Sequence, residues 1–239
     1  MLPEAYIASN KILDYTMINK YTSKKNIVTA FQITEESGQS KLIILKEFSN
    51  QVLHKKEVKY LTYLYNSGSL VPEILYASDN IIIMEFIKGK LLIDALFEQR
   101  FNNCEYIIKL LLESLRDIYN KLSKISNRQN SLILGDMNLR NFILSGDRVY
   151  RLDLESIKAG KLSQDFGQLL AFIVSYDPPF NDYKWGLVKI IFNKLIKEMK
   201  VEPGAMAQAM KTELRRIEKR RKIKINQKEI DKISKYLLE

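Results

Sequence analysis

The sequence is poor in the residues that define several classes of protein. It holds one cysteine and one histidine in 239 residues. An internal disulfide and a structural zinc site are therefore excluded, and a Ser-His-Asp or Cys-His hydrolase is disfavoured. Nine glycines and five prolines, scattered without a period, exclude collagen-like and repeat architectures.

Long apolar runs are missing as well. The longest, such as IIIMEFI at 81–87, are far shorter than the roughly 20 residues that a membrane span needs. The first residues also lack the apolar core of a signal peptide. With 46% hydrophobic and 28% charged residues, the composition is that of a globular chain with a core. We therefore expect a cytoplasmic protein that makes no membrane contact.

The hydrophobic pattern changes once along the chain. In residues 1–86, short β-branched and aromatic runs interrupted by one helical repeat predict three strands, a helix and two strands. In residues 87–239, apolar residues recur mainly at helical spacing, most clearly over 106–125, and a short hairpin lies at 141–154. The pattern predicts an α+β fold with a small strand-rich N-terminal lobe and a mainly helical C-terminal lobe.

Two neighbouring segments, LGDMNLRN at 134–141 and RLDLE at 151–155, carry the most informative polar residues. Asp136 and Asn141 are five apart in a predicted loop, and Asp153 ends the next predicted strand. Two carboxylates and a carboxamide are hard oxygen ligands suited to Mg²⁺. D-x-x-x-x-N is also the spacing of the kinase catalytic loop. By itself, this short and permissive pattern is more typical of an ordinary acidic surface turn.

A lysine lies inside an apolar strand at Ile43-Ile44-Leu45-Lys46. Burying its ammonium is costly unless an anion meets it. Glu57, eleven residues later in the predicted helix, could form that ion pair, because Glu47 points to the opposite face of the strand. A snorkelling lysine and a solvated glutamate are the alternatives.

The order of these parts resembles the protein-kinase-like superfamily. Within it, LGDMNLRNFIL, RLDLESI and QDFGQLLAF are similar to the motifs of the aminoglycoside phosphotransferase and choline kinase branch. The resemblance covers about residues 15–175. It implies a bilobal protein-kinase-like fold with a small antiparallel-sheet N-terminal lobe, 1–86, that binds nucleotide, and a helical catalytic lobe, 87–239. It also implies a phosphotransferase that moves the γ-phosphoryl group of ATP, with Mg²⁺, to a hydroxyl of a small molecule.

The resemblance further assigns roles to individual residues. Asp136 would be the catalytic base, and Asp165 would brace its loop. The metal-site residues would be Asn141, Asp153 and Glu155. The nucleotide-binding residues would be Lys46 and Glu57 at the phosphates, Glu85 and Ile87 at adenine, and Ser23 and Asn26 in the phosphate loop. The letters D-F-G at 165–167 are then a coincidence, because Asp153 stands where the metal ligand belongs.

Two departures leave other functions open. Leu134 stands where the pattern has His, and the phosphate-loop segment, residues 21–26, holds no glycine, whereas ordinary kinases use a Gly-rich loop. These departures favour one alternative, a non-catalytic, nucleotide- or nucleic-acid-binding pseudokinase. The short C-terminal lobe after Asp165 favours another, an atypical Ser/Thr protein kinase of RIO-like or tRNA-modification-associated type.

The net charge of +10 is concentrated in residues 211–228, where nine Lys and Arg face only Glu213 and Glu218. The segment is either a solvated helix face or a footprint for RNA, DNA or another polyanion. Without aromatic residues, it would contact backbone phosphates rather than stack on bases.

Two further interpretations concern single residues outside these motifs. His54 is expected on the surface of the N-terminal helix. Trp185, with Tyr176, Phe180 and Tyr183 nearby, either lines a substrate pocket or belongs to an aromatic cluster of the core or surface.

Overall fold

The computed structural model describes residues 1–21, 25–98, 104–126 and 131–238. Ser23, predicted to approach phosphate, lies outside these ranges. The chain divides into two compact units. The first comprises Met1–Lys88 and Tyr150–Glu155, and the second comprises Gly89–Val149 and Ser156–Glu239.

The first unit is a five-stranded antiparallel sheet with two helices. The elements are α1 (Glu4–Ser9), β1 (Ile12–Tyr21), β2 (Asn26–Glu35), β3 (Ser40–Phe48), α2 (Gln51–Asn66), β4 (Ile74–Ser78) and β5 (Ile81–Glu85). The strand order is β1-β2-β3-β5-β4, and every paired strand is antiparallel. The core includes Ile33, Ile43, Leu45 and Ile83, each at most 1% exposed. The central strand β3 therefore lies against apolar neighbours.

Helix α2 begins and ends at recognisable signals. The Asn50 side chain accepts hydrogen bonds from the N–H groups of Val52 and Leu53, which would otherwise lack an intrahelical acceptor. Just beyond the helix, Gly68 adopts a φ of 77°, a left-handed conformation that glycine takes readily.

The second unit is mainly helical. Its helices are α3 (Leu92–Glu98), α4 (Cys104–Lys124), a 3₁₀ turn (Leu139–Asn141), α5 (Leu162–Ser175), α6 (Asp182–Met199), α7 (Pro203–Arg221) and α8 (Gln227–Leu238). Its short strands are β6 (Lys90–Leu91), β7 (Leu132–Ile133), β8 (Phe142–Ser145) and β10 (Lys158–Ala159), while β9 (Arg148–Arg151) leads the chain into the first unit. Strand β6 pairs with β8, and β7 pairs with β10. Most of α5 is buried.

The predicted α+β class is confirmed, because an antiparallel sheet precedes a helical part. The short helices α1 and α3 were not predicted, since six and seven residues are too few to show a helical period. The hairpin strand β9 ends at Arg151 rather than at Leu154. The Arg151 Nε donates to the carbonyl oxygen of Asp153 at 2.9 Å, so the chain bends here and Asp153 lies in the following loop.

The prediction of an exposed His54 is wrong. His54 is 6% exposed, and its ring packs edge-on against Phe48 with centroids 5.3 Å apart. Its Nε2 lies 3.2 Å from the carbonyl oxygen of Ile81. His54, Glu57, Leu61 and Leu64 follow each other at helical spacing and are all buried, so His54 belongs to the inner face of α2.

Trp185 is only 1% exposed and packs edge-on against Tyr236, with ring centroids 5.8 Å apart. Its burial favours the core interpretation of the aromatic cluster over a pocket lining. Within the described ranges, every helix is too short or too polar to cross a membrane.

Candidate active site

A buried charge cluster lies in the first unit, centred on Lys46 of β3. The Lys46 side chain is 8% exposed, and its Nζ lies 2.9 Å from Oε2 of Glu57. The same Nζ lies 3.6 Å from Oδ2 of Asp153 and 3.6 Å from Oε2 of Glu155. The structure therefore brings together four residues that the sequence resemblance assigned to phosphate and metal binding.

Burial and charge act in opposite directions on these groups. Burial raises the pKa of Glu57 to about 8 against the attraction of Lys46. Burial alone would lower the pKa of Lys46, but Glu57, Asp153 and Glu155 raise it above its ordinary value. Burial likewise opposes ionisation of Asp153, whose pKa Lys46 and Arg151 nevertheless hold below its ordinary value. The Lys46 ammonium thus lies close to three carboxyl groups at once, and Arg151 adds positive charge near Asp153.

This cluster fits a divalent cation. One carboxyl oxygen from each of Glu57, Asp153 and Glu155 lies within 4.8 Å of the others. Oε1 of Glu57 is buried, and no N–H or O–H group of the described residues donates a hydrogen bond to it. Hard carboxylate oxygens suit Mg²⁺, which commonly uses one or two protein carboxylates together with water and phosphate oxygens.

Glu155 also contacts the end of the predicted phosphate loop. Its Oε2 accepts a hydrogen bond from Nδ2 of Asn26 at 2.7 Å, and its Oε1 lies 3.3 Å from Nζ of Lys25. Lys25 is 61% exposed, so this second contact contributes little stability. Asn26 was predicted to approach phosphate, and here its carboxamide binds Glu155.

The predicted adenine contacts lie where β5 ends and the chain leaves the sheet. The backbone N–H of Glu85 donates to the carbonyl oxygen of Glu73 at 3.0 Å. That N–H is therefore occupied, and an adenine contact at Glu85 is limited to its carbonyl oxygen. Ile87 lies two residues further along and is 7% exposed.

The D-x-x-x-x-N segment forms a loop in the second unit, held by Asp165 of α5. The Asp165 carboxylate accepts hydrogen bonds from the backbone N–H groups of Leu134 at 2.6 Å and Gly135 at 2.9 Å. It also accepts one from the hydroxyl of Tyr119 at 2.6 Å. Asp165 is 1% exposed, so it contacts the loop as the resemblance implied.

Asp136 lies near the beginning of this loop and Asn141 lies at its end, and both residues are half-buried. Oδ1 of Asp136 accepts a hydrogen bond from the N–H of Asn138 at 3.1 Å. The N–H of Asn141 donates to the carbonyl oxygen of Asn138 at 2.9 Å. Asn138 therefore links the two residues, while their convergence with Lys46 and Asp153 stays a prediction.

Sequence reasoning missed two further residues that contact this loop. Met137 donates its N–H to Oε1 of Gln168 at 2.8 Å, and Leu139 donates its N–H to the hydroxyl of Tyr176 at 3.0 Å. Gln168 follows Asp165 by three residues in α5, which places both on one side of the helix, and Tyr176 is the residue directly after the helix. That spacing was the available signal.

Much of the basic segment 211–228 is paired within the second unit. Glu213, 3% exposed, lies 3.5 Å from Arg216 and 2.6 Å from Arg220. Arg215 pairs with Glu218 at 3.0 Å. Part of the positive charge thus stabilises the packing of α7, which favours the interpretation as a helix face for these arginines.

Comparison with known sequences identifies the family. Residues 10–158, more than half of the chain, match the sequence model of the RIO domain. This chain belongs to the RIO domain family. The protein-kinase-like superfamily is therefore confirmed, whereas the narrower aminoglycoside phosphotransferase and choline kinase branch is not. No curated protein matches the sequence significantly.

Solved structures show the same fold at low sequence identity. The RIO domain chain is similar to APH(2")-IIa in a ternary complex with streptomycin and ATP, with a TM-score of 0.57, 12% identity and coverage of 89% of this chain and 88% of the other. It is similar to the amicoumacin kinase hAmiN bound to AMP-PNP, Ca²⁺ and Ami, with a TM-score of 0.54, 12% identity and coverage of 86% and 80%. A Rio2 kinase from Chaetomium thermophilum, solved as an ADP/Mg²⁺-phosphoaspartate complex, matches with a TM-score of 0.49, 14% identity and coverage of 97% and 68%.

Proposed function

We propose that this RIO domain protein is a Mg·ATP-dependent phosphotransferase whose acceptor is a Ser or Thr hydroxyl of a protein. The observation that carries the proposal is the buried cluster in which Lys46 serves Glu57, Asp153 and Glu155. Such a cluster has few uses in a structural core, because buried ionised groups are costly even when they are paired. Its carboxylate oxygens and its lysine match a site for a divalent cation and a nucleotide phosphate.

The proposed roles follow the chemistry of each group. Lys46 would bind the α and β phosphates, with Glu57 holding its ammonium in place. Asp153 and Asn141, supported by Glu155, would hold Mg²⁺, which when bound neutralises and orients the phosphate oxygens. Asp136 would align the acceptor hydroxyl and take its proton.

The remaining proposed roles concern the nucleotide. The carbonyl oxygen of Glu85 and the backbone of Ile87 would bind adenine, and Asn26 with Ser23 would approach the phosphates. Residues 1–86 would thus act as the nucleotide-binding lobe and residues 87–239 as the catalytic lobe. Positioning and charge stabilisation supply most of the rate enhancement in phosphoryl transfer. Substitutions of these residues should therefore have the largest effects on activity.

Family membership favours a protein acceptor, which was the alternative from sequence. A small hydroxylated molecule is the second candidate. It is supported by the fold likeness to APH(2")-IIa and to the amicoumacin kinase, whose structures contain streptomycin and Ami. Because fold does not determine substrate, the acceptor must be identified by assay.

The test uses the purified protein, Mg²⁺ and ATP labelled at the γ-phosphate. Label transfer is measured to the protein itself, to a generic Ser/Thr-containing protein, and to panels of hydroxylated metabolites and aminoglycosides. Asp136→Asn should abolish transfer while keeping the thermal stabilisation by Mg·ATP, and Lys46→Met should lose that stabilisation. Asp147→Asn is the matched control, because Asp147 is an exposed carboxylate in the turn between β8 and β9.

Three results would change the proposed function or the role of a residue in it. Undiminished transfer by Asp136→Asn would remove this residue as the catalytic base. Label on a metabolite or aminoglycoside but on no protein would favour the second candidate. Absence of any thermal stabilisation by Mg·ATP would favour the non-catalytic alternative.

We also propose that the part of segment 211–228 near the end of α7 contacts a polyanion such as RNA. The support is the concentration of basic residues there, including Lys219, Lys222 and Lys224. The double variant Lys222→Glu/Lys224→Glu should lower the affinity for single-stranded RNA and flatten its dependence on salt. Equal affinity and equal salt slope in variant and wild type would contradict this proposal.

A further inference from the structure

Helix α5 and the residue that follows it direct three polar side chains toward the loop at 134–141, and each binds a different part of the loop. Asp165 binds the N–H groups of Leu134 and Gly135 at the beginning of the loop. Gln168 binds the middle of the loop through Met137. Tyr176, directly after the helix, binds the far part. Tyr176 contacts the side chain of Asn138, and the N–H of Asn138 donates a hydrogen bond to Asp136.

The Tyr176 hydroxyl uses both its donor and its acceptor capacity on the loop. It donates to Oδ1 of Asn138 at 2.7 Å and accepts from the N–H of Leu139 at 3.0 Å. Burial raises the pKa of Tyr176, so the hydroxyl keeps its proton throughout the physiological range. Leu139 is fully buried, and its N–H would have no water to replace this acceptor.

Ring packing and a backbone hydrogen bond hold Tyr176 in place. Its ring packs edge-on against Phe97, with centroids 5.7 Å apart, and stacks near Phe172 at 6.4 Å. Its carbonyl oxygen accepts a hydrogen bond from Nζ of the buried Lys184 at 2.6 Å, and the same Nζ donates to the carbonyl oxygen of Pro178 at 2.6 Å. The hydroxyl therefore occupies one position, which is what a positioning group requires.

Asn138 connects Tyr176 to Asp136 through hydrogen bonds. Its side-chain Oδ1 accepts from both Tyr176 and the N–H of Arg140, at 2.7 and 3.0 Å. Its own N–H donates to Oδ1 of Asp136 at 3.1 Å. We propose that Tyr176 is a positioning residue for phosphoryl transfer, whose hydroxyl fixes Asn138 so that Asn138 in turn orients the carboxylate of Asp136. This inference rests on the proposed function, in which Asp136 receives the proton of the acceptor hydroxyl.

The experiment compares Tyr176→Phe with Tyr183→Phe in the full chain. The control also removes one hydroxyl from the second unit, since the Tyr183 hydroxyl donates to the carbonyl oxygen of Leu96, but it leaves the loop untouched. In Tyr176→Phe, kcat should fall about tenfold, the scale of one lost buried hydrogen bond. The KM for ATP should stay within about twofold, because Lys46 lies in the other unit. Tyr183→Phe should keep the wild-type kcat.

A second measurement does not depend on activity. Amide hydrogen exchange in Tyr176→Phe should be at least about tenfold faster at Leu139. It should be unchanged at Leu134 and Gly135, which Asp165 binds. Faster exchange across the whole chain would indicate a purely structural role and overturn the proposal.

A second variant covers the case in which Tyr176→Phe folds poorly. Asn138→Ala removes the same side-chain contact from the loop side and keeps the hydrogen bond from the Leu139 N–H to Tyr176, so it should also lower kcat about tenfold. A wild-type kcat in Asn138→Ala would overturn the proposal. A wild-type kcat in Tyr176→Phe, beside an inactive Asp136→Asn, would refute the role of Tyr176 and leave the proposed function standing. An active Asp136→Asn would instead refute the proposed function, and the positioning role would fall with it.

Discussion

Replacing Glu57 by Gln should make the metal-free protein more stable at neutral pH, although Glu57 belongs to the candidate active site. Glu57 is fully buried, and burial raises its pKa from 4.5 to about 8. At pH 7 the folded protein therefore holds a proton at Glu57 that the unfolded chain has released. Gln has the shape of protonated Glu but does not titrate. The variant therefore avoids the free-energy cost of taking up this proton on folding.

The size of the effect follows from the two pKa values. An acid whose pKa is higher in the folded state than in the unfolded state loses stability as pH rises from the unfolded to the folded value. With 1.36 kcal/mol per pKa unit, the interval between 4.5 and pH 7 corresponds to about 3 kcal/mol, and at pH 5 the cost is about 1 kcal/mol. The advantage of Glu57→Gln should therefore grow by about 2 kcal/mol between pH 5 and pH 7.

Urea unfolding in the presence of a chelator, without nucleotide, measures this difference at each pH. Subtracting wild type from variant cancels the titration of the groups that lie outside the cluster. Glu47→Gln is the control, because it removes a half-buried carboxylate from the residue next to Lys46 without touching the cluster. A difference that does not change with pH, or a variant less stable than wild type at pH 7, would show that Glu57 is ionised in its pair with Lys46 and would refute the reasoning.

Three other substitutions test the loop and the phosphate segment. Asp165→Ala removes the acceptor of two backbone N–H groups and a hydroxyl and should cost about 3 kcal/mol in urea unfolding; a loss below about 1 kcal/mol would contradict its role as the loop brace. Gly135→Ala should cost about 2 kcal/mol, because φ is 75° and the added Cβ would lie 2.3 Å from the carbonyl oxygen of Ser156; unchanged stability would refute this strain. Asn26→Ala removes the hydrogen bond to Glu155 and should weaken Mg·ATP binding about fivefold in calorimetry, while equal affinity would show that Asn26 takes no part in holding the phosphate segment.

The pairing of Lys46 with Glu57 could be expected from sequence because it follows from a local cost. A lysine in an apolar strand needs an anion, and the next helix offers one on its inner face. The same reasoning failed for His54, since histidine is compatible with either surface or core. The buried neighbours at positions 57, 61 and 64 would have placed it correctly.

Other contacts depend on residues far apart in the chain, and no local pattern indicates them. Asn26 reaches Glu155 across 129 residues, and Tyr176 reaches Asn138 across 38. Polar residues of these types are common in loops and at helix ends, so their presence alone predicts no partner. Such contacts follow only from how the strands and helices pack, which the hydrophobic pattern describes too coarsely.

The position of Glu57 connects stability with the proposed chemistry. On the same face of α2, Leu61 and Leu64 are fully buried, so packing against the sheet is satisfied by apolar side chains and does not require a carboxylate. A leucine or methionine at position 57 would avoid the cost of burying a charge or a proton. The carboxyl group is explained if it holds the Lys46 ammonium in a fixed place beside Asp153 and Glu155. In the proposed function, oxygens of this cluster would bind a divalent cation, and a nucleotide phosphate would complete the ligands of that cation. For this reason Glu57, which makes the fold less stable at neutral pH, is one of the residues to which we assign nucleotide and metal binding.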